Sequence, residues 1–184
     1  MRSKFDKPVT MEVRLAQPAD DTRVGDLLVE SFMETYAAKM PEVSVSEERN
    51  IELRDLYFKR AHSKVFVGER EGEIVGTVTI FPPGAPTSES WLENAADLRQ
   101  LALDPAWQGR GLSHALLDRA EAQAREWGCR WVCLHVRRGA HGLVRFYSSR
   151  GYRRDPGGDL DQLPSIYLEA YCLDLRVPSQ SSDG

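Results

Sequence analysis

The pattern of apolar and polar positions divides the chain into short strands and amphipathic helices. Glu12 to Leu15 reads as a first short strand, closed by Gln17-Pro18. Asp20 or Asp21 is placed to cap a helix. Val24, Leu27, Leu28, Phe32 and Tyr36 then recur at helical spacing on one face, and Pro41 closes the element. Ser44-x-x-Glu47 has the form of a capping box. It predicts one further helix to about His62, with Ile51, Leu53, Leu56, Tyr57 and Ala61 as its apolar side. Lys64–Glu69 and Glu73–Phe81 alternate as strands around Glu71-Gly72, so they predict an antiparallel hairpin.

Pro82-Pro83-Gly84-Ala85-Pro86 breaks that regularity, and a long connection runs to Ala95. Connections of that length in a compact domain tend to be functional or mobile. The next predicted strand, Ala96 to Leu103, alternates irregularly. Leu98 faces one side, whereas Leu101 and Leu103 share a parity with Asp97 and Arg99. One extra residue near Gln100 would bring the leucines to one side, which is what a β-bulge does. A bulge would splay this strand from its neighbour and leave backbone groups for a ligand. After Asp104-Pro105 come Gly109 and Gly111, then a helix with Leu112, Ala115, Leu116, Ala120, Gln123 and Trp127 on one stripe and Gly128 at its C′ position. Arg130–Val136 is a strand, Gly142–Arg150 a short helix stopped by Gly151, and Tyr152 starts another strand. A polar loop, Asp155–Gln162, leads to a last strand from about Ser165 to Leu173. The order is β-α-α-β-β-β-α-β-α-β-β.

Composition narrows the classes. The chain has 184 residues, 41% hydrophobic and 28% charged, enough for one domain with a full core. We divide it into a flexible N-terminus (1–10), a single domain (11–175) and a disordered tail (176–184). A net charge of −4 gives no reason to expect nucleic acid or an anionic membrane as partner. No apolar run approaches the roughly 18 residues of a membrane span. The first residues carry charges but no apolar h-region, so a cytoplasmic location is the default expectation. Cys129, Cys133 and Cys172 are odd in number and form no CxxC pair, and the four histidines are scattered. Reduced thiols and no metal site follow as expectations.

The glycine loop is the first candidate for chemistry. Between a strand end and a helix start, glycines let the backbone approach a ligand. The N–H groups of the first helical turn and the helix dipole then attract an anion, usually a phosphate. There is no G-x-x-x-x-G-K-[ST], and G-x-G-x-x-G is not met after Gly109.

Gln108-Gly109-Arg110-Gly111-Leu112-Ser113 resembles the acyl-CoA motif of the GNAT superfamily of N-acetyltransferases, Q/R-x-x-G-x-G/A. Phe146-Tyr147-Ser148-Ser149-Arg150-Gly151-Tyr152 resembles the family's aromatic-Tyr-x-x-x-Gly-aromatic segment, and the element order is similar from about Glu12 to Leu173. The chain departs from the family pattern twice. Ser113 stands where Gly or Ala is usual, and Ala140 stands where many members carry an Asn that contacts CoA.

The resemblance implies an α/β (α+β) fold. Its mixed, mostly antiparallel, twisted sheet would have about seven strands flanked by helices, splayed at the strand with the β-bulge. It implies an acetyl-CoA-dependent N-acetyltransferase that moves an acetyl group to a primary amine by direct attack in a ternary complex, with no metal. The main chain of Gln108, Gly109, Arg110, Gly111, Leu112 and Ser113 would hold the pyrophosphate. Leu101, Ala102 and Leu103 would pair with pantetheine like an extra strand, the Leu101 N–H also facing the thioester oxygen. Tyr147 would be the general acid for the CoA thiolate. For the base, Asp97 is one candidate. A solvated strand-end carboxylate is the other reading of that residue, and Glu89, Glu93 or a chain of waters are alternatives. The acceptor pocket would draw on Phe32, Tyr36, Glu89, Trp91 and Glu93, with Glu34, Asp159 and Asp161 nearby. Carboxylates beside aromatics suit a cationic amine, and acidic loops that are simply solvated are the equal alternative. A small amine, an amino acid, an antibiotic or a protein N-terminus would all fit, as would a homodimer. His114 reads as a surface residue, His62 closes a helix, and His135 lies on the face of its strand opposite Val132, Leu134 and Val136. Two other classes stay open: a non-catalytic acyl-CoA-binding sensor, and an interaction protein using the fold without a ligand.

Overall fold

The computed structural model describes residues 9–34, 46–164 and 166–176. Tyr36, Pro41 and Ser44 lie outside the described residues, as do 1–8 and 177–184. The strands are β1 (Glu12–Leu15), β2 (Lys64–Arg70), β3 (Glu73–Phe81), β4 (Ala95–Leu103), β5 (Trp131–Arg137), β6 (Arg153–Arg154), β7 (Leu160–Gln162) and β8 (Ile166–Asp174). The helices are α1 (Asp21–Phe32), α2 (Glu47–Arg54), α3 (Leu56–His62), α4 (Leu112–Glu126) and α5 (His141–Ser149). The sheet is mixed and mostly antiparallel, in the order β1-β2-β3-β4-β5-β8-β6, with β7 pairing β8. Among the described residues the sheet has eight strands, one more than the order read from the sequence. The additional strand, β7, lies in the stretch predicted as a polar loop. It has no apolar alternation to announce it, and backbone pairing of Leu160 with Leu168 and of Gln162 with Ile166 forms it.

The chain forms two compact units, one from residues up to Thr79 with Gln100–Ala120, the other from Ile80–Arg99 with Glu121 onward. The first unit is organised by α1, whose Val24, Leu27 and Leu28 are buried with Leu53, Leu56, Val65, Val67, Ile74 and Ala102. Each such leucine, fully removed from water, contributes about 2 kcal/mol. Gly76 on β3 serves close packing, because a Cβ there would meet Leu103 at 2.7 Å and Leu116 at 2.9 Å.

The single helix predicted to end at His62 is two. Asp55 accepts a hydrogen bond from the Phe58 N–H and caps α3, ending α2 one residue earlier. Its short carboxylate offers the backbone an alternative to continued helix. Lys59 then donates from Nζ to the carbonyls of Glu52 and Leu53, both at 2.7 Å, and satisfies the end of α2. The break turns the predicted apolar side. Leu53 and Leu56 are buried, whereas Ile51, Tyr57 and Ala61 are exposed. The cap of α2 is Ser46, whose hydroxyl accepts from the Arg49 N–H.

In the second unit β5 pairs in parallel with β4 over Ala95–Asp97 and in antiparallel with β8 along its whole length. Val132, Leu134, Val136, Tyr147 and Tyr152 are buried there. Glu121 holds this core to α5 and its exit. It accepts from the Tyr152 hydroxyl at 3.1 Å and from Arg150 at 2.9 Å. The three cysteines are free thiols, and burial pushes the Cys133 thiol up to about 12. Among the described residues, no helix is long and apolar enough to cross a membrane.

Candidate acyl-CoA loop and amine pocket

β4 carries the irregularity that its sequence predicts. Gln100 has φ 56°, in the left-handed region, in mid-strand. Leu98 and Leu103 are buried, as is Ala102, but Leu101 is only half-buried, so the irregularity does not bring all three leucines into the core.

The loop after β4 is fixed at its base. The Asp104 carboxylate accepts from the Ala106 N–H at 3.0 Å and from Arg23 at 2.7 Å, while Gln108 donates to the Leu103 carbonyl at 3.3 Å. Pro105–Trp107 form one turn of 3-10 helix. Gly109 and Gly111 follow with φ 72° and 77°, and nothing lies within 4 Å of where their Cβ atoms would be. Glycine is therefore required here by backbone conformation and by the open space it leaves, not by neighbouring side chains. Residues 108–111 are exposed, and α4 starts at Leu112. Trp107 is flanked by two guanidinium groups, Arg70 at 4.6 Å and Arg110 at 5.1 Å from its ring centre. An exposed, left-handed glycine turn opening a fifteen-residue helix, with two arginines beside it, suits a phosphate group. Arg70 lies far from the motif in sequence, and nothing in the pattern of β2 singles it out.

The second unit gathers most of the other predicted residues. Asp97 is fully buried, so the reading as a solvated strand-end carboxylate is corrected. Its Oδ2 accepts from Arg99 Nε and from the Glu89 N–H, both at 2.8 Å, and lies 2.6 Å from Arg99 Nη2. Its Oδ1 is buried without a hydrogen-bond partner. Arg99 also donates to the Thr87 carbonyl, stacks on Phe81 at 5.1 Å and reaches the Glu89 carboxylate at 3.4 Å. The long connection before β4 is thus tied down at 87 and 89 by the ion pair of buried Asp97 with Arg99. Trp91 donates from its indole N–H to Asp155 at 2.7 Å, and its ring lies 5.2 Å from that of His135. Gly158 is where the indole rests: a Cβ there would sit 2.1 Å from Trp91 Cδ2. Glu93 is exposed and, with Ser88 and Ser90, lines a cavity of about 320 Å³.

Asp159, expected among loop carboxylates, is instead bound by Arg154 at 2.5 Å, the Tyr167 hydroxyl at 2.7 Å and the Ala170 N–H at 2.9 Å. Burial works to raise its carboxyl, but these three donors outweigh it and bring it down to about 2. Tyr147 is buried on α5, edge-on to Phe146 at 5.3 Å and to Tyr152 at 5.5 Å. Ala140 occupies the N-cap of α5 and makes no side-chain cap there. Phe32 ends α1 with Arg49 over its ring at 5.7 Å. Sequence reasoning left His135 without a role. Its side chain is 6% exposed, its Nε2 lies 2.8 Å from the Gly158 carbonyl, and its Nδ1 lies 4.0 Å from Glu89.

The fold is shared with solved acetyltransferases. One of the GNAT family from Staphylococcus aureus Mu50 superposes with a TM-score of 0.71 at 15% identity, over 90% of this chain and 99% of that one. The PaiA N-acetyltransferase from Thermoplasma acidophilum, in complex with coenzyme A, gives 0.64 at 18% identity, over 88% and 98%. Residues 25–152 match the model of the acetyltransferase (GNAT) family, and the chain belongs to that family. It is also similar to the amino-acid acetyltransferase of Pseudomonas syringae pv. syringae, 28% identical over 148 residues and 79% of this chain. The chain spans 31% of the length of that relative.

Proposed function

We propose that this protein is an acetyl-CoA-dependent N-acetyltransferase acting on a primary amine by direct attack in a ternary complex. The observation that carries the reading is the pair of left-handed glycines, Gly109 and Gly111, in an exposed turn at the head of α4, one 3-10 turn after a strand interrupted by the left-handed Gln100. The backbone N–H groups of 108–113 bind the pyrophosphate, aided by Arg110. The main chain of Leu101, Ala102 and Leu103 pairs with the pantetheine arm, which the bulge at Gln100 leaves available. The Leu101 N–H faces the thioester oxygen, where negative charge grows as the amine attacks. Tyr147 returns a proton to the departing thiolate. Glu89, Trp91 and Glu93 belong to the acceptor pocket, and the abundance of carboxylates selects a cationic amine or a peptide N-terminus. Asp97 enters this reading as the residue that orients Arg99 and the 87–89 segment, since its carboxylate is fully buried and ion-paired.

Two measurements test the proposal. Acetyl-CoA must raise the melting temperature in proportion to the logarithm of its concentration above Kd. Thiol release must then depend on an added primary amine. Stabilisation without release across a broad amine panel would favour a CoA sensor, for which the missing Asn at Ala140 is the motivating feature. No stabilisation would refute both readings.

A further inference from the structure

His135 is an imidazole in a strand whose Val132, Cys133, Leu134 and Val136 are all buried. A polar ring in such a place must be satisfied or it costs stability. One side is satisfied: Nε2 lies 2.8 Å from the Gly158 carbonyl. A carbonyl oxygen only accepts, so Nε2 carries the hydrogen, and in the neutral ring Nδ1 is the nitrogen with the lone pair. That nitrogen faces Glu89 Oε2 across 4.0 Å, too far for a direct hydrogen bond. His135 Nδ1 and Glu89 Oε2 are thus two acceptors 4.0 Å apart, and Arg99 Nη2 stands 3.4 Å from the same Glu89 oxygen. A group with several N–H donors and a positive charge completes that geometry, and a primary ammonium is such a group. Glu89 is 43% exposed and His135 6% exposed, so an incoming cation meets the carboxylate first and the imidazole behind it. The Trp91 ring, 5.2 Å from the imidazole, walls one side.

The surrounding charges are otherwise engaged. From β4, Asp97 is paired with Arg99, which also leans on Glu89 at 3.4 Å. Asp155 is taken by the Trp91 indole. Across β8, Ala170 is opposite His135, and the Asp159 bound to its N–H is neutralised by Arg154.

We propose that His135 Nδ1 is the proton acceptor for the incoming amine and that Glu89 is the carboxylate that draws its ammonium form to that nitrogen. The inference rests on the N-acetyltransferase reading above and names the class of its acceptor, a basic alkylamine. The ammonium N–H bond breaks and an Nδ1–H bond forms, giving an imidazolium beside Glu89. The freed lone pair forms the C–N bond to the thioester carbon, and the C–S bond breaks with its electrons on sulfur. The second proton lost by the nitrogen ends on the thiolate through Tyr147. His135 passes the first proton to solvent, so one amine, one acetyl-CoA and no other reagent give amide, thiol and one released proton.

The test compares His135→Gln with the wild type. Glutamine Nε2 can still donate to the Gly158 carbonyl, so the loop keeps its anchor while the base is gone. With phenethylamine, which is protonated at neutral pH, kcat/KM should fall by roughly 10²–10⁴-fold, the range of general-base contributions. With semicarbazide, which is uncharged at the same pH, the fall should be less than about tenfold, because no proton has to be removed before attack. In the variant the rate with phenethylamine should rise with pH in step with the free-amine fraction, and the melting shift given by acetyl-CoA should persist. Glu89→Gln should raise KM for phenethylamine more than it lowers kcat. Equal losses on both amines, or none on either, would overturn the role of His135. So would a ¹⁵N spectrum of the full-length protein with His135 Nδ1 protonated at neutral pH. Absence of thiol release in the wild type over the whole panel is a different result, and it overturns the proposed activity itself.

Discussion

Gly158→Ala is a small perturbation whose cost follows from one contact. The added methyl group would sit 2.1, 2.3 and 2.5 Å from Trp91 Cδ2, Cε2 and Cε3. Carbon atoms at rest stand about 3.5–4.0 Å apart, so the indole or the 156–158 turn must retreat by more than about 1 Å. The ring is rigid and is held at its other edge by the 2.7 Å hydrogen bond from its N–H to Asp155. Retreat of the indole stretches that bond. Retreat of the turn moves the Gly158 carbonyl away from His135 Nε2, which now lies 2.8 Å from it. Overpacking costs about 1–3 kcal/mol, and a hydrogen bond to a charged acceptor adds roughly 1.5–3 kcal/mol when lost. Partial relaxation makes about 3 kcal/mol a fair expectation. For a domain of this size each kcal/mol lowers Tm by about 2–4 °C, so a drop near 6–12 °C is expected. Urea unfolding followed by circular dichroism measures it without relying on the indole itself. Trp91→Ala supplies the second arm of a double-mutant cycle. In that background Gly158→Ala should be close to neutral, because the ring it strikes is gone. A cost below about 0.5 kcal/mol in the wild type, or an equal cost with and without Trp91, would refute the clash as the cause.

Other expectations follow from the same geometry. Tyr147→Phe should reduce turnover sharply and leave the acetyl-CoA melting shift nearly intact; unchanged steady-state kcat would remove Tyr147 from the mechanism. Gly109→Ala and Gly111→Ala place a Cβ at φ 72° and 77° in open space, so each should cost only about 1–2 kcal/mol in urea unfolding while abolishing acetyl-CoA stabilisation. For Asp159 the folded carboxyl is depressed from 3.8 to about 2. Its stabilisation is therefore complete above the unfolded value and is lost as the pH falls from near 4 toward 2. Discounted for partial solvent screening, that amounts to about 1 kcal/mol. Urea titrations of Asp159→Asn against wild type should show a gap at pH 6 that closes by pH 2, and a gap independent of pH would contradict the assignment.

The sequence was readable where one period or one backbone requirement dominates. The alternation of β2, β3 and β5 and the stripe of α4 locate those elements to within a residue or two, and Gly109 and Gly111 announce left-handed positions because side chains are strained there. The broken parity of Leu98, Leu101 and Leu103 pointed to Gln100, which is the residue with positive φ. It could not say that Leu101 would remain half-buried, since that depends on how far the strand parts from its neighbour. Asp55 was hidden for a different reason: an aspartate inside an apolar stripe reads as a solvent position until its carboxylate is seen to cap the next helix. The proposed amine pocket was the least legible part. Asp97 looked like a free carboxylate because Arg99, two residues on, reads as the same face and not as a partner. His135 looked like an isolated histidine because its neighbours, Glu89, Trp91 and Gly158, come from two loops that no spacing rule connects. Short-range chemistry made the loop for the anion visible in a line of six residues. The proton transfer proposed for His135 draws on β5 and on two connections, and only the folded chain brings His135 Nδ1 to 4.0 Å from the carboxylate of Glu89.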